Sequence, residues 1–156
     1  LHLPSDSPNV ISVSATAPIG WATDPGNIFL DNPASYSNYG QSVIDFAAPG
    51  GDFVYPGEES CTIAGLTRPC WVFDLVFSTG SNLNPTLASY YWSAGTSMAA
   101  PHVSGIAALL MARHRELIGQ PERVKEILCQ TATDLGREPR FQGRGMVDAL
   151  RALQAV

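Results

Sequence analysis

The sequence predicts an α/β domain built in layers. Short β-branched runs separated by Gly and Pro turns fill the first half, and a helical period takes over at Ser97. Strands followed by helices bury their apolar faces on one another, which defines the class. The 156 residues can enclose one core, and an apolar content of 45% excludes a disordered chain.

Each element has its own signal. Residues 9–15 (NVISVSA) form a β-branched run between turns and predict a strand. Residues 43–47 (VIDFA) predict a second, stopped by Pro49-Gly50-Gly51, and residues 72–78 (VFDLVFS) a third. Between them, residues 51–71 are rich in Gly and Pro and read as a surface excursion. From Ser97 to about Leu117 the apolar positions Met98, Val103, Ile106, Leu109 and Leu110 cover nearly the whole circumference, predicting a helix buried all round. Pro121 sets the start of a second helix ending near Thr131, and a third is expected from about Met146 to Ala155. So few strands and one buried helix cannot cover both faces of a sheet, so partner elements are expected to be missing.

Charge narrows the function classes. The net charge is -5. Residues 1–112 hold eight acids and one base, whereas residues 113–156 hold six acids and eight bases. No basic surface for nucleic acid is indicated, and no apolar run is long enough to span a bilayer. The chain opens on Leu1-His2-Leu3-Pro4 without an initiator Met or a signal peptide, which predicts a mature or truncated start. Sparse charge with many polar turn residues suits an extracellular enzyme.

Of three cysteines, Cys61 and Cys70 flank a short loop; their spacing can close a disulfide ring in an oxidising compartment or leave two free thiols. Cys129 falls in a helical pattern and reads as a buried small hydrophobe. Without a CxxC or a second Cys/His pair, zinc is not expected.

Chemistry concentrates in Gly95-Thr96-Ser97-Met98-Ala99-Ala100-Pro101-His102. A Ser at the first turn of a helix projects its Oγ where free N–H groups and the dipole favour a developing anion. Gly95 allows close approach of a substrate backbone, and Thr96 is placed to cap the helix. Pro101 deletes one helical hydrogen bond beside this serine. A plain Ser/Thr helix cap would explain the serine by position alone.

The motif as a whole closely resembles the nucleophile signature of the subtilisin-like serine proteases. The likeness extends to residues 8–13 (PNVISV), to Tyr36-Ser37-Asn38-Tyr39-Gly40, to Asp45-Phe46-Ala47-Ala48-Pro49-Gly50, and to the segments 131–136 (TATDLG) and 143–149 (GRGMVDA). Residues 51–91 match least. The resemblance implies a three-layer α/β/α fold with a mostly parallel sheet, of which residues 1–156 are the C-terminal part of one catalytic domain. It implies a serine endopeptidase with Ser97 as nucleophile, Gly95, Thr96 and Ser97 forming the oxyanion-side turn, and Met98 and Ala94 beside the reacting atoms. Many subtilisins carry Asn where this chain has Ala94. The family's Asp-Thr/Ser-Gly, His-Gly-Thr-His and Ala-Ala-Gly-Asn segments do not occur, so the catalytic Asp and His are expected from upstream sequence.

No histidine here substitutes for that base. His102 follows Ser97 by five residues, a rotation of about 140° on a helix, and is expected to make a buried structural hydrogen bond. His114 lies roughly 25 Å along the helix, and His2 is in a tail. The 156 residues alone are therefore expected to be inactive. The expected partners are a polypeptide substrate and the N-terminal part of the same catalytic domain. No catalytic cofactor is implied. The resemblance implies a structural calcium at Asp45 with the carbonyls of Pro8 and Val10, and secretion or a cell-envelope location; that secreted habit, with their short separation and the polar turn chemistry between them, predicts a Cys61–Cys70 disulfide. The alternatives are a catalytically silent subtilase-like module for binding or assembly, and an α/β-hydrolase esterase. The latter is disfavoured because Ala99 stands where Gly-x-Ser-x-Gly needs its second Gly.

Overall fold

The computed structural model describes residues 7, 9–40, 43–80, 84, 86–87 and 89–156. At its centre Val13–Ala17 (β1) reads VSATA, and four of its five residues are buried. β1 pairs parallel with Phe46–Pro49 (β3) and antiparallel with the two-residue Asn32–Pro33 (β2), giving the order β2-β1-β3. The pleat sends alternate residues to opposite faces. Ala15 and Ala17 join the apolar core, while Ser14 Oγ donates to the Phe141 carbonyl at 2.7 Å. Small residues at 15, 17, 47 and 48 let the neighbouring layers come close.

Thr96–Arg113 (α1) lies on β1 and β3 and buries Ala99, Val103, Ile106 and Leu110 along one stripe. Pro121–Thr131 (α2) adds Val124, Ile127 and Leu128 to the same core, and Ala149–Gln154 (α4) packs Ala152 against α1 and α2. The short Pro139–Gln142 (α3) leads into a return segment, in which Gly143 bridges Phe46 and Met146 bridges Ala47 and Thr133. Two hairpins stand outside the central sheet. They are Ser60–Ile63 (β4) with Leu66–Pro69 (β5), and Val76–Gly80 (β6) with Ser89–Ser93 (β7), both antiparallel.

The α/β class holds, with several boundaries moved for identifiable reasons. The first strand starts at Val13 rather than residue 9, because Asn9 has φ 63° and the Ser12 N–H goes to the Asp45 carboxylate. The second starts at Phe46, since the N–H groups of Asp45 and Phe46 both converge on the Ser12 carbonyl. The expected strand at 72–78 splits: Cys70–Asp74 forms a 3-10 turn tied by its disulfide, and only Val76–Gly80 is extended. The excursion at 51–71 holds a hairpin turned by Ala64 (φ 50°) and Gly65 (φ 80°), two left-handed residues as a type I′ turn requires. The last helix starts at Ala149, because Met146 is held in bridges and the Asp148 side chain caps Arg151.

α1 ends at Arg113, with a separate 3-10 turn at Arg115–Leu117. It is not buried all round. Ala100, Ser104, Gly105, Ala108 and Leu109 are exposed, Leu109 by 52%. Within the described residues nothing covers this face of small and apolar residues.

Candidate active site

The chain leaves β7 through Ala94 and enters α1 over Gly95. Gly95 has φ 154° and ψ 158°, a backbone conformation essentially confined to glycine. Its N–H donates to the Gly50 carbonyl at 2.9 Å. Gly50 is equally constrained: a Cβ there would meet the Ala15 Cβ at 2.5 Å and the Gly95 carbonyl oxygen at 2.9 Å. The Tyr36 hydroxyl lies within 2.9 Å of the Gly50 carbonyl and 2.5 Å of the Gly51 carbonyl, to which it donates. Burial pushes this phenol up to about 12, the Gly95 backbone opposes the shift, and the charge of Asp52 adds to it. Tyr36, Gly50 and Gly95 thus form one strut from the sheet to the start of the helix.

Ser97 is the second helical residue and its side chain is exposed. Among the described residues its Oγ has no hydrogen-bond partner. The Met98 and Ala99 N–H groups both donate to the Gly95 carbonyl, whereas those of Thr96 and Ser97 have no intrahelical acceptor, so the Ser97 hydroxyl sits at a site that favours negative charge. Pro101 lies inside the helix and removes the bond that the Ser97 carbonyl would accept. Thr96 does not cap α1: the cap is Gly95, and no side chain closes it. Met98 is half-buried, with its sulfur 3.5 Å from where a Gly95 Cβ would stand.

The His102 Nδ1 lies 2.8 Å from the Met98 carbonyl, so the expected hydrogen bond is present. The residue is exposed rather than buried, because it falls on the uncovered side of α1. His114 caps the far end of the helix and pairs with Glu116. His2 lies outside the described residues. Neither His102 nor His114 is brought to Ser97.

Sequence reasoning missed two buried carboxylates under the site. Asp74 is 2% exposed and accepts from the Gly20 N–H at 2.6 Å and the Trp21 N–H at 2.8 Å. Burial raises its pKa, the two N–H donors oppose the rise, and the charge of Asp52 adds to it. Asp52 is 1% exposed and accepts from Ser35 N and Oγ and from the Phe53 N–H. Their apolar sequence neighbours, Phe53 after Asp52 and Phe73 and Leu75 around Asp74, were the available signal. Together they lash residues 20–21, 35 and 52–53 around the strut.

The Cys61–Cys70 disulfide is formed. It ties the exposed β4–β5 hairpin to the fully buried Cys70, just before Trp71. A cavity of about 450 Å³ lined by Phe53, Trp71, Leu75, Trp92, Ser93 and Ala94 opens beside the turn. A second, of about 500 Å³, lies at the carboxyl ends of β1 and β3 and reaches Trp21, Asp74 and His102. Cys129 is half-buried against the core, and burial pushes its thiol up.

Asp45 does not fit calcium as it stands. Its Oδ1 pairs with the Lys125 ammonium at 2.8 Å, and its Oδ2 accepts the Ser12 N–H at 3.0 Å. Both oxygens are engaged, and a divalent cation would face an ammonium. No cluster of three His, Cys, Asp or Glu side chains occurs among the described residues. Val10 is in place before β1, and Pro8 lies outside the described residues.

The glycine turn, the helix-mounted serine and the layered fold define a subtilisin-type α/β protein, and comparison with known proteins agrees. The model of the subtilase family matches residues 1–145, and the chain belongs to that family. It is 36% identical to an extracellular basic protease of Dichelobacter nodosus, over 98% of this chain and 20% of that protein. It is 30% identical to thermitase of Thermoactinomyces vulgaris, over 80% of this chain and 33% of thermitase. The crystal structure of the epidermin leader peptide processing serine protease of Staphylococcus aureus superposes with a TM-score of 0.69 at 27% identity, covering 97% of this chain and 32% of that one. The chain therefore spans between a fifth and a third of the length of these relatives.

Proposed function

We propose that these residues carry the nucleophile of a secreted serine endopeptidase. The observation behind this reading is Ser97: an exposed, unpaired hydroxyl at the N-terminus of α1, mounted on a glycine-only turn. Ser97 attacks the scissile carbonyl of a polypeptide, and its N–H, with the helix dipole, stabilises the tetrahedral oxyanion. The proton goes to a His oriented by an Asp, both from polypeptide outside these 156 residues, since no His here reaches Ser97. That same polypeptide covers the exposed face of α1, which makes residues 1–156 the C-terminal part of one catalytic domain. All groups in this chemistry are side chains and backbone N–H groups, so no cofactor is required. A calcium at Asp45 is left out of the proposal because Lys125 already neutralises that carboxylate. Relatives named as extracellular proteases and the disulfide support secretion.

The test uses the whole protein. A fluorophosphonate should label Ser97, and Ser97→Ala should abolish labelling and peptide turnover together, while residues 1–156 alone should turn over no peptide. Peptidase activity that survives Ser97→Ala would overturn the assignment. A full-length protein that is folded, unlabelled and inactive would favour a silent binding module instead.

A further inference from the structure

On the side of the sheet away from the helix that carries Ser97, the chain builds a cationic recess that the nucleophile chemistry does not touch. The pleat turns Ala15 and Ala17 towards the core beneath α1 and Ser14 the other way, where its Oγ donates to the Phe141 carbonyl at 2.7 Å. α3 therefore lies across β1 from α1 and its uncovered face. Here a cavity of about 270 Å³ is lined by Pro33, Tyr39, Arg137, Glu138, Arg140 and Phe141. A neighbouring cavity, of about 480 Å³, shares Tyr39, Glu138 and Arg140 with it and adds Gly40 and Pro139. Neither shares a lining residue with the cavities described near the nucleophile turn.

The recess is only half neutralised. Residues 137–144 hold three arginines and one acid. That acid, Glu138, pairs with Arg140. Arg137 has no carboxylate partner among the described residues. The Asn32 Oδ1 accepts one of its five donors at 3.4 Å, and its Nε is enclosed without a partner. Desolvating an unpaired cation costs free energy that a bound anion offsets. Both guanidiniums are oriented in advance. Arg137 lies over the Phe29 ring at 5.0 Å and Arg140 over the Tyr39 ring at 5.4 Å, and both rings are at least half exposed. The backbone beneath is braced as well. The buried Gln142 accepts from the Leu135 N–H at 2.9 Å and the Arg137 N–H at 3.4 Å, and donates to the Asp134 Oδ1 at 2.7 Å. The Gly40 N–H donates to the Arg140 carbonyl at 2.9 Å.

We propose that this recess docks an acidic segment of polypeptide: Arg137 takes the carboxylate of an Asp or Glu side chain in the smaller cavity, and the larger cavity takes an apolar neighbour against Tyr39 and Pro139. Charge complementarity selects the occupant. Two guanidiniums and one carboxylate sum to +1, which a monoanion neutralises. A phosphate would bring close to two negative charges beside Glu138. The planar fork of an Arg matches a carboxylate through two parallel bonds. Pro33 and Phe141 complete the smaller cavity and suit a methylene stem. Its volume falls just under the roughly 300 Å³ at which small-molecule pockets begin, so it fits one side chain of a longer chain. The assignment does not depend on the reading of Ser97.

The experiment uses the whole protein with Ser97→Ala, so that no probe is consumed. The probe is a dye-labelled peptide, blocked at both ends, with a single Glu between leucines; its counterparts carry Gln or phosphoserine in place of that Glu. Fluorescence anisotropy at low salt should show the Glu peptide bound about tenfold or more tighter than the Gln peptide, and added salt should weaken it. Arg137→Gln should bring the Glu peptide down to the affinity of the Gln peptide and leave the Gln peptide unchanged. Arg137→Lys, which keeps the charge and loses the fork, should recover part of the difference. Thermal melts check that each variant is folded. Should Arg137→Gln fail to fold, Glu138→Gln decides instead: it removes the competing carboxylate and should tighten the Glu peptide severalfold. Equal binding of the Glu and Gln peptides, no binding by the folded parent, or an affinity that neither variant changes would overturn the docking site. A phosphoserine peptide bound tighter than the Glu peptide would overturn the choice of a carboxylate.

Discussion

Lys125→Met isolates the contribution of the Asp45 ion pair. The ammonium stands 2.8 Å from Oδ1, with the two side chains 33% and 27% exposed. At an effective dielectric of about 20, unit charges roughly 4 Å apart attract by about 4 kcal/mol. Desolvation and the ordering of the lysine chain offset most of that. Exposed pairs keep about 0–1 kcal/mol, whereas breaking a buried pair costs about 3–5 kcal/mol. A pair one-third exposed falls between, at about 1–2 kcal/mol. The Ser12 N–H still holds Oδ2 in the variant, so the strand entry survives and the loss is electrostatic. In a catalytic domain larger than these 156 residues the melting temperature should fall by about 2–8 °C at most. The assay is calorimetry of the whole enzyme in a Ser97→Ala background, which prevents self-digestion, with excess calcium or with chelator. Lys125→Met should melt lower in chelator, and calcium should raise the variant more than the parent, because the carboxylate has lost its built-in cation. The reasoning is refuted if Lys125→Met melts like the parent while calcium stabilises the parent and Asp45→Asn abolishes that gain.

Three further outcomes follow from the geometry. Gly50→Ala places a Cβ 2.5 Å from that of Ala15 and 2.9 Å from the Gly95 oxygen, so it should destabilise by about 1–3 kcal/mol and lower kcat at least tenfold; steady-state kinetics checks it. Opening the Cys61–Cys70 ring, a sequence separation of 9, should cost the hairpin about 2–3 kcal/mol, seen as faster amide exchange in β4 and β5 with α1 unchanged. Burial raises the Asp74 pKa, so the folded state binds this proton more tightly than the unfolded one. Its contribution to stability is full below the ordinary carboxylate value and is lost as pH rises through the raised one. Denaturant titrations stepped from about pH 4 to pH 6 should therefore show a more negative slope of unfolding free energy for the parent than for Asp74→Asn.

How far the sequence reveals this fold depends on where each backbone N–H finds its partner. α2 was legible end to end, because Pro121 at its start and the buried stripe Val124, Ile127, Leu128 and Thr131 are local signals. The first two strands were legible in kind but not in extent. The Asp45 side chain takes a ladder donor from Ser12, thirty-three positions away, and no local pattern announces that. The stretch 72–78 misleads for the same reason. Its β-branched composition favours a strand, but a disulfide and two backbone donors to Asp74 bend its first half into a 3-10 turn.

The site divides along the same line. Ser97, Gly95 and Pro101 stand together in sequence, and a physical rule is broken by Pro101 right beside the candidate nucleophile; such local conflicts are what functional sites display. The parts that hold this turn in place are scattered over sixty residues, from Tyr36 through Gly50 to Gly95, and meet only once the parallel β1–β3 pair has formed. Helix periodicity misjudged α1 in an instructive way. Apolar residues all round a helix signal burial on every side, yet Leu109 is 52% exposed among the residues described. Hydrophobic patterning records the complete set of neighbours a helix is selected to pack against, and the described residues supply one side of it. The proposed function accounts for the histidines in the same terms: neither His102 nor His114 is brought to Ser97, and the base it proposes would come with a surface covering Ala100, Ser104 and Ala108.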